Sequence, residues 1–262
     1  MSFKSTRKNW EGLAKKDPFW AICTNPQKKN GKWDVDDFFR SGELEVDVIF
    51  SYLREQGFLP DIKDKILDFG CGLGRLSRAL YPWFEEVYGI DVSNSMITKA
   101  RELNKNYLDK LHFLHNEEFN LSLFGDGIFD MVITTIVLQH ISYPENLEYV
   151  EEFIRVLKPG GILLFQVPVA DRRKRSLVQK LKSRIKIRER LALAGIGNGF
   201  QMEMNTIPET ELVELFNNRH LKILSILPTN HTDPRFDGAL VFLDDKEEEQ
   251  YGFISKLFIV KK

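Results

Sequence analysis

The sequence predicts an α/β fold, a mostly parallel sheet with helices on both faces, and three observations carry the prediction. Short apolar strands alternate with longer amphipathic segments along most of the chain, the pattern of strand–helix–strand units. The stretch Ile66-Leu67-Asp68-Phe69-Gly70-Cys71-Gly72-Leu73-Gly74-Arg75 reads as a strand running through a glycine-rich turn into a helix. Twenty-one residues after Gly70, a second strand, Glu86 to Ile90, ends on Asp91. Glycines at alternate positions open conformations closed to residues with a Cβ and let a ligand lie on the main chain. The helix behind the turn directs free N–H groups at that ligand, and a carboxylate at the tip of the next strand is placed to accept from a ribose diol. A nucleoside is the predicted ligand.

Taken in order, the predicted strands span 65–69, 86–90, 111–115, 129–134, 162–168, 221–227 and 253–260. Before the first, a helix over about 42–56 places Val46, Ile49, Phe50 and Leu53 on one face. Between the fourth and fifth strands, Ser142-Tyr143-Pro144-Glu145 reads as a capping box. Leu147, Val150, Phe153, Ile154 and Leu157 follow at helical spacing, and Lys158-Pro159-Gly160-Gly161 stops the helix. Thr206-Ile207-Pro208-Glu209 starts another helix in the same way, running to about Arg219.

The turn discriminates among nucleosides. A dinucleotide fingerprint counted from Gly70 needs a small residue where Arg75 stands; counted from Gly72 it ends on Ser77 and leaves Gly70 unexplained. Asp68 would be costly at the end of a buried strand unless a cation or donor cluster answers it. S-adenosylmethionine brings an ammonium and a sulfonium, whereas a pyrophosphate would be repelled.

Asp-Phe-Gly-Cys-Gly-Leu-Gly over residues 68–74 resembles the signature of class I S-adenosylmethionine-dependent methyltransferases. The resemblance continues through Ile90-Asp91-Val92-Ser93 with Met96, Ile97 and Ala100, through Phe129-Asp130-Met131-Val132-Ile133 and Leu138-Gln139-His140-Ile141, and through Arg155 to Leu163. It implies a Rossmann-like, seven-stranded sheet of order 3-2-1-4-5-7-6, whose last strand is antiparallel. Resemblance and spacing together assign Asp68, Gly70, Gly72 and Gly74 to the methionine end of the cofactor and Asp91 to the ribose. Val92 and Met96 pack on the adenine or, in the alternative, simply in the core. Asn116 or Glu117 stands where the family reads the adenine amino group, and Thr134 and Thr135 end the fourth strand beneath the cofactor. Arg75 either reaches the cofactor carboxylate or lies on the surface. His140, just beyond the fourth strand with Gln139 beside it, is the titratable candidate for a general base, and a structural role is its alternative.

Two regions fall outside this core. Residues 1–60 carry Trp10, Phe19, Trp20, Trp33, Phe38 and Phe39 and are expected to form a helical lid on the domain over 61–262, or to pack on the sheet edge; Phe38 to Gly42 is the part expected to reach the cofactor. A basic helical insertion is expected at about 170–205. Ten of the nineteen residues from Arg172 to Arg190 are Lys or Arg, beside an apolar stripe of Leu177, Leu181, Ile185 and Leu191. Three readings stand for it: a solvated helix, a cap attracting an anionic acceptor, or peripheral contact with an anionic membrane. Asp244 to Glu249 reads as an exposed acidic loop.

Composition bounds the rest. At 262 residues and 43% hydrophobic content the chain suits one core, and a net charge of −1 offers nucleic acid no global attraction. Nucleobase methylation is further disfavoured because neither an Asn/Asp-Pro-Pro-Tyr/Phe motif nor a Pro-Cys nucleophile is present. Two cysteines, no clustered metal ligands and no apolar leader after Met1 lead to an expectation of a metal-free cytoplasmic protein. The expected activity is methyl transfer from S-adenosylmethionine to oxygen or nitrogen of a small-molecule, sugar or lipid-linked acceptor. A catalytically silent S-adenosylmethionine-binding module, serving as subunit or sensor, is the alternative.

Overall fold

The computed structural model describes residues 3–172, 202, 204–230, 240–244 and 252–262. The strands are β1 (Lys65–Phe69), β2 (Glu86–Asp91), β3 (Leu111–His115), β4 (Phe129–Thr134), β5 (Leu157–Asp171), β6 (Lys222–Asn230), β7 (Val241–Phe242) and β8 (Phe253–Lys261). They form one sheet of order β3-β2-β1-β4-β5-β8-β6-β7. Pairing is parallel from β3 to β5 and antiparallel where β8 enters between β5 and β6. Strand order therefore follows the expected arrangement with one addition: eight strands in place of seven, the extra one being the two-residue β7 on the edge of β6.

Alternation along the strands divides the core in two. Ile66, Val87, Met131, Leu164 and Ile259 pack under α3 (Val35–Glu55), α4 (Arg75–Leu80) and α5 (Asn94–Leu103), through Val46, Phe50, Leu80 and Ile97. On the other face Leu67, Ile90, Val132, Phe165 and Phe258 meet α6 (Glu145–Val156) and α7 (Glu209–Asn218), through Phe153 and Phe216. A third cluster joins α1 (Phe3–Lys16), α2 (Pro18–Ile22), Trp33, Phe38, Phe39, Leu73 and Met96 above the carboxyl end of the sheet.

Four local expectations are corrected. α3 begins at Val35, not near Gly42, because Asp34 caps it by accepting from the backbone N–H groups of Asp36 and Asp37. Pro144, not Ser142, occupies the cap of α6, and the carbonyls of Ser142 and Pro144 receive the N–H groups of Asn146 and Leu147 at 2.9 and 2.8 Å. α7 likewise starts after Pro208 with no side-chain cap. Extended chain begins at Leu157, so Lys158 to Gly161 lies in a register shift inside β5 and does not precede it. Of the basic segment only Arg172 is among the described residues; residues 173–190 and 245–249 lie outside them.

Candidate cofactor and acceptor site

β1 delivers Asp68 and then turns at Gly70, whose φ of +74° favours glycine. The N–H groups of Gly70 and Cys71 both donate to the Ile90 carbonyl, at 2.8 and 2.9 Å, binding the turn to β2. A Cβ at Gly70 would lie 2.4 Å from Val137 Cγ2, and one at Gly72 would lie 2.5 Å from Ile22 Cδ1. Both glycines line one cavity at the carboxyl end of the sheet. Gly74 does not line it. Its φ of +81° opens α4, and a Cβ there would meet Phe113 at 2.6 Å, so the third glycine serves packing against β3.

Asp68 is buried and accepts from Ser77 Oγ at 2.6 Å. Burial pushes its carboxyl up to about 6, against the Ser77 bond and the nearby Arg75 charge. Asp91 ends β2 facing the same cavity; its two oxygens accept from the backbone N–H groups of Ser93 at 2.8 Å and Gly72 at 3.0 Å. Burial raises it too, to about 6, despite these bonds. Val92 and Met96 follow on the cavity wall.

Asn116 and Glu117, the two candidates for the adenine amino group, are placed differently. Asn116 lines the cavity with Oδ1 buried and without a hydrogen-bond partner among the described residues, while its Nδ2 donates to the Asn120 carbonyl at 3.1 Å. Glu117 turns outward, its side chain 61% exposed, toward His115 Nδ1 at 3.1 Å and Arg7 at 3.8 Å. Thr134 is fully buried and stays off the cavity surface; Thr135 lines it instead.

One sequence expectation about the N-terminal segment and one reading of Arg75 are also corrected. Phe38 to Gly42 is buried within α3 away from the cavity, apart from Arg40 on its exposed side. The lid residues that do line it are Thr6 and Trp10 of α1 with Ala21 and Ile22 of α2. α1 is tied down by Glu11, which accepts from Ser93 Oγ at 2.8 Å, Ser95 N at 3.2 Å and Ser95 Oγ. Partial burial raises the Glu11 carboxyl, but the bonds from Ser95 and Ser93 win and bring it down to about 2. Arg75, one of whose readings was a surface residue, is buried and donates through Nη2 to Glu45 of α3 at 2.7 Å. Glu45 was missed from sequence. Its signal was a carboxylate one position before Val46, on the apolar stripe of an amphipathic helix.

His140 closes a 3-10 turn, Leu138–His140, just past β4, and lines the cavity. Its ring meets Trp10 edge to face, with centroids 5.1 Å apart. Gln139, beside it, receives Asn205 N and Nδ2 on its carbonyl at 2.7 and 3.2 Å, which holds the turn from the segment before α7. Among the described residues no group of three or more His, Cys, Asp or Glu is arranged to hold a metal, and no helix is long and apolar enough to cross a membrane.

Residues 66–161 match the family described as "Methyltransferase domain". The chain is 34% identical over 107 residues to a demethylmenaquinone methyltransferase of Staphylococcus haemolyticus, covering 39% of this chain and 43% of that protein. It is 36% identical over 100 residues to a 2-methyl-6-phytyl-1,4-hydroquinone methyltransferase of Synechocystis, covering 38% and 30%. Across the curated relatives it spans 30–65% of their length. Among solved structures, magnesium protoporphyrin IX methyltransferase of Synechocystis with bound SAH (S-adenosylhomocysteine) shares the fold, with a TM-score of 0.59 and 20% identity over 100% of both chains.

Proposed function

We infer that this chain, which belongs to the class I S-adenosylmethionine-dependent methyltransferase family, moves a methyl group from S-adenosylmethionine to oxygen or nitrogen of a small apolar, sugar or lipid-linked acceptor. One observation carries the reading. Asp68, Gly70, Gly72, Asp91 and Asn116 line a single cavity together with Trp10 and His140.

The residues fit the cofactor. A Cβ would fill the cradle at Gly70 and Gly72, Asn116 lines the cavity with a side-chain amide suited to an adenine amino group, and the carboxylates of Asp68 and Asp91, both raised by desolvation, are available to further donors or positive charge. Asp68 would answer the ammonium and Asp91 the ribose hydroxyls, with Val92 and Met96 against the purine. Bound S-adenosylmethionine supplies a methyl group on a positively charged sulfur, ready for direct displacement. What the chain adds is alignment and exclusion of water, which together offset roughly 7–11 kcal/mol of the barrier. α1 and α2 roof the cavity for this purpose, and His140 stands where it would take the acceptor's proton.

The wall around His140 favours a neutral, apolar acceptor. Trp10, Ile22, Ile136 and Ile141 supply the surface, and Asp68, Asp91 and Glu145 outnumber Arg75, whose charge Glu45 already answers. The demethylmenaquinone and hydroquinone activities named for two relatives agree with a ring-bearing acceptor. The test is transfer of labelled methyl to a panel of quinols, phenols and amines, followed by single-turnover rates for His140→Ala. We expect label in a neutral ring acceptor, unchanged cofactor affinity in the variant, and a chemical step slowed about 10²- to 10⁴-fold. A variant within a few-fold of wild type would reduce His140 to a structural residue; cofactor binding with no turnover on any acceptor would favour the silent binding module.

A further inference from the structure

We propose that the outer face of the roof, α1 and α2 with the loop that follows them, is a docking surface for an anionic phospholipid bilayer, so that the cavity takes up its acceptor while the protein is seated on the membrane.

The roof separates two kinds of side chain. Its underside is uncharged: Thr6, Trp10, Ala21 and Ile22 line the cavity, and Leu13 and Ala14 are buried beneath α1. Lys4, Lys8 and Lys15 recur at intervals that an α-helix returns to one side, turned away from Thr6, Trp10 and Leu13. Residues 3–33 hold eight Lys or Arg against two carboxylates, in a chain whose net charge is −1. Both carboxylates are engaged within the roof or beneath it. Glu11 accepts from Ser93 and Ser95 at the start of α5, and Asp17 accepts from the backbone N–H groups of Asn30 and Gly31 at 2.6 and 3.1 Å, closing the loop.

Three of the cations are answered, Arg7 by Glu117 at 3.8 Å, Lys15 by Glu11 at 3.2 Å and Lys28 by Asp37 at 2.9 Å. Lys4, Lys8, Lys16, Lys29 and Lys32 are exposed and make no ion pair among the described residues. Trp20 stands half-buried beside Lys29, whose Nζ lies 4.7 Å from its ring centroid. Unanswered positive charges next to a surface indole are complementary to a layer of anionic headgroups, where the surface potential attracts each lysine and an indole settles at the boundary of water and hydrocarbon. The five exposed, unpaired cations are all lysines. A lysine ammonium is a strongly hydrated point charge that suits a diffuse layer of lipid phosphate, whereas nucleic-acid phosphate is read better by the fork of arginine. The patch also covers the cavity whose wall near His140 is built from Trp10, Ile22, Ile136 and Ile141. An apolar acceptor of the kind inferred above partitions into lipid and would meet a membrane-seated protein without first dissolving in water.

The acceptor's route rests on the proposed function, and vesicle binding is measured without turnover, so the two fail separately. The full chain is sedimented with vesicles of phosphatidylcholine alone and of phosphatidylcholine with an equal part of phosphatidylglycerol, and is titrated with poly(U) RNA as a separate arm. Wild type should bind the anionic vesicles, leave the neutral ones, and dissociate as salt is raised. Lys4→Glu, Lys8→Glu and Lys32→Glu together should lower that affinity about 100-fold or more. Melting temperature and S-adenosylmethionine affinity should stay those of wild type, because exposed charges contribute little to the fold. A control makes the same change of charge at the opposite end of the sheet. Lys63→Glu, Lys105→Glu and Lys222→Glu alter exposed residues at the amino ends of β1, β3 and β6, and vesicle affinity should stay within about threefold of wild type. Absence of binding to anionic vesicles, binding that survives reversal of the roof lysines, or an equal loss in the control overturns the docking surface and leaves the cofactor reading standing. Poly(U) bound in preference to vesicles, and lost with the same three lysines, overturns the bilayer as the partner. Wild type that binds vesicles but not S-adenosylmethionine overturns the cofactor reading instead.

Discussion

Asp68→Asn should make the ligand-free protein more stable while making it a poorer binder. Asparagine keeps the shape of the side chain and an acceptor for Ser77 Oγ, which donates to Asp68 at 2.6 Å, and it removes the buried charge. Burial lifts the Asp68 carboxyl from 3.8 to about 6, a difference worth about 3 kcal/mol between its two protonation states. Because the folded value is the raised one, the protonated form favours the fold. That contribution is complete below about pH 4, declines as pH rises, and is gone above about pH 6. At pH 7.5 the wild type therefore carries a desolvated carboxylate that the variant escapes. A net gain of about 2 kcal/mol would raise the melting temperature by roughly 4–8 °C for a domain of this size. At pH 3.5 the two proteins should melt together. Affinity for S-adenosylmethionine should move the other way, falling about 10- to 100-fold with the lost charge-assisted bond. Thermal unfolding at both pH values, with calorimetry at pH 7.5, measures each half. A variant less stable than wild type by the same amount at both pH values would refute the reasoning, since the carboxylate would then be settled in its site.

Further predictions follow from the same geometry. Asp91 is also raised to about 6, so S-adenosylmethionine should bind about tenfold more weakly at pH 5 than at pH 7.5, as protonation removes charge that answers the ligand; a flat calorimetric profile would count against both carboxylates. Gly70→Ala places a Cβ 2.4 Å from Val137 Cγ2 at a φ of +74°; unfolding and ligand titrations should register about 1–3 kcal/mol of lost stability and weaker cofactor binding, and wild-type affinity would show that the turn is free to shift. Glu11→Gln should loosen α1, costing about 1 kcal/mol and quickening proteolysis within residues 3–16. The stability that the Glu11 carboxylate contributes is present above about pH 4.5 and lost as pH falls toward 2, so the variant should resemble wild type only in strong acid.

Much of the cavity floor was legible because it is built locally. Strand, glycine turn and helix occupy one short stretch from Lys65 to Leu80, and Asp91 is fixed by the length of the unit that follows. The periodicity of α6 was equally plain, with Val150, Phe153 and Ile154 on the face that packs on the sheet. What escaped depends on distant partners. Thirty positions separate Glu45 from Arg75, and no local pattern states that Gly42 lets their helices touch. Trp10 was expected in a folded segment, lid or sheet-edge packing, yet its meeting with His140 arises only from how α1 lies across the sheet. Asn116 and Glu117 are neighbours in sequence, and the end of β3 alone decides which faces inward. Turn chemistry misled at Lys158 to Gly161, where a glycine pair read as a helix stop sits in an irregularity of β5. β7 was too short to register, with two residues paired to Thr229 and Asn230.

β8 imposes an order of assembly on the chain. Each described residue lining the cavity lies between Thr6 and Tyr149, so a ribosome has finished the whole cofactor floor, and β5 after it, well before Phe253 emerges. At synthesis rates of about 5–20 residues per second, the interval between Asp171 and Phe253 lasts on the order of 4–16 s. Throughout that time β5 shows an open edge, and β6, once made, has only the short β7 to join, since it reaches the rest of the sheet through β8. An unpaired edge next to a finished half-sheet invites pairing with a neighbouring nascent chain. The nucleoside, by occupying the half that is already complete, would be available to steady that half-sheet while its other side is still being made.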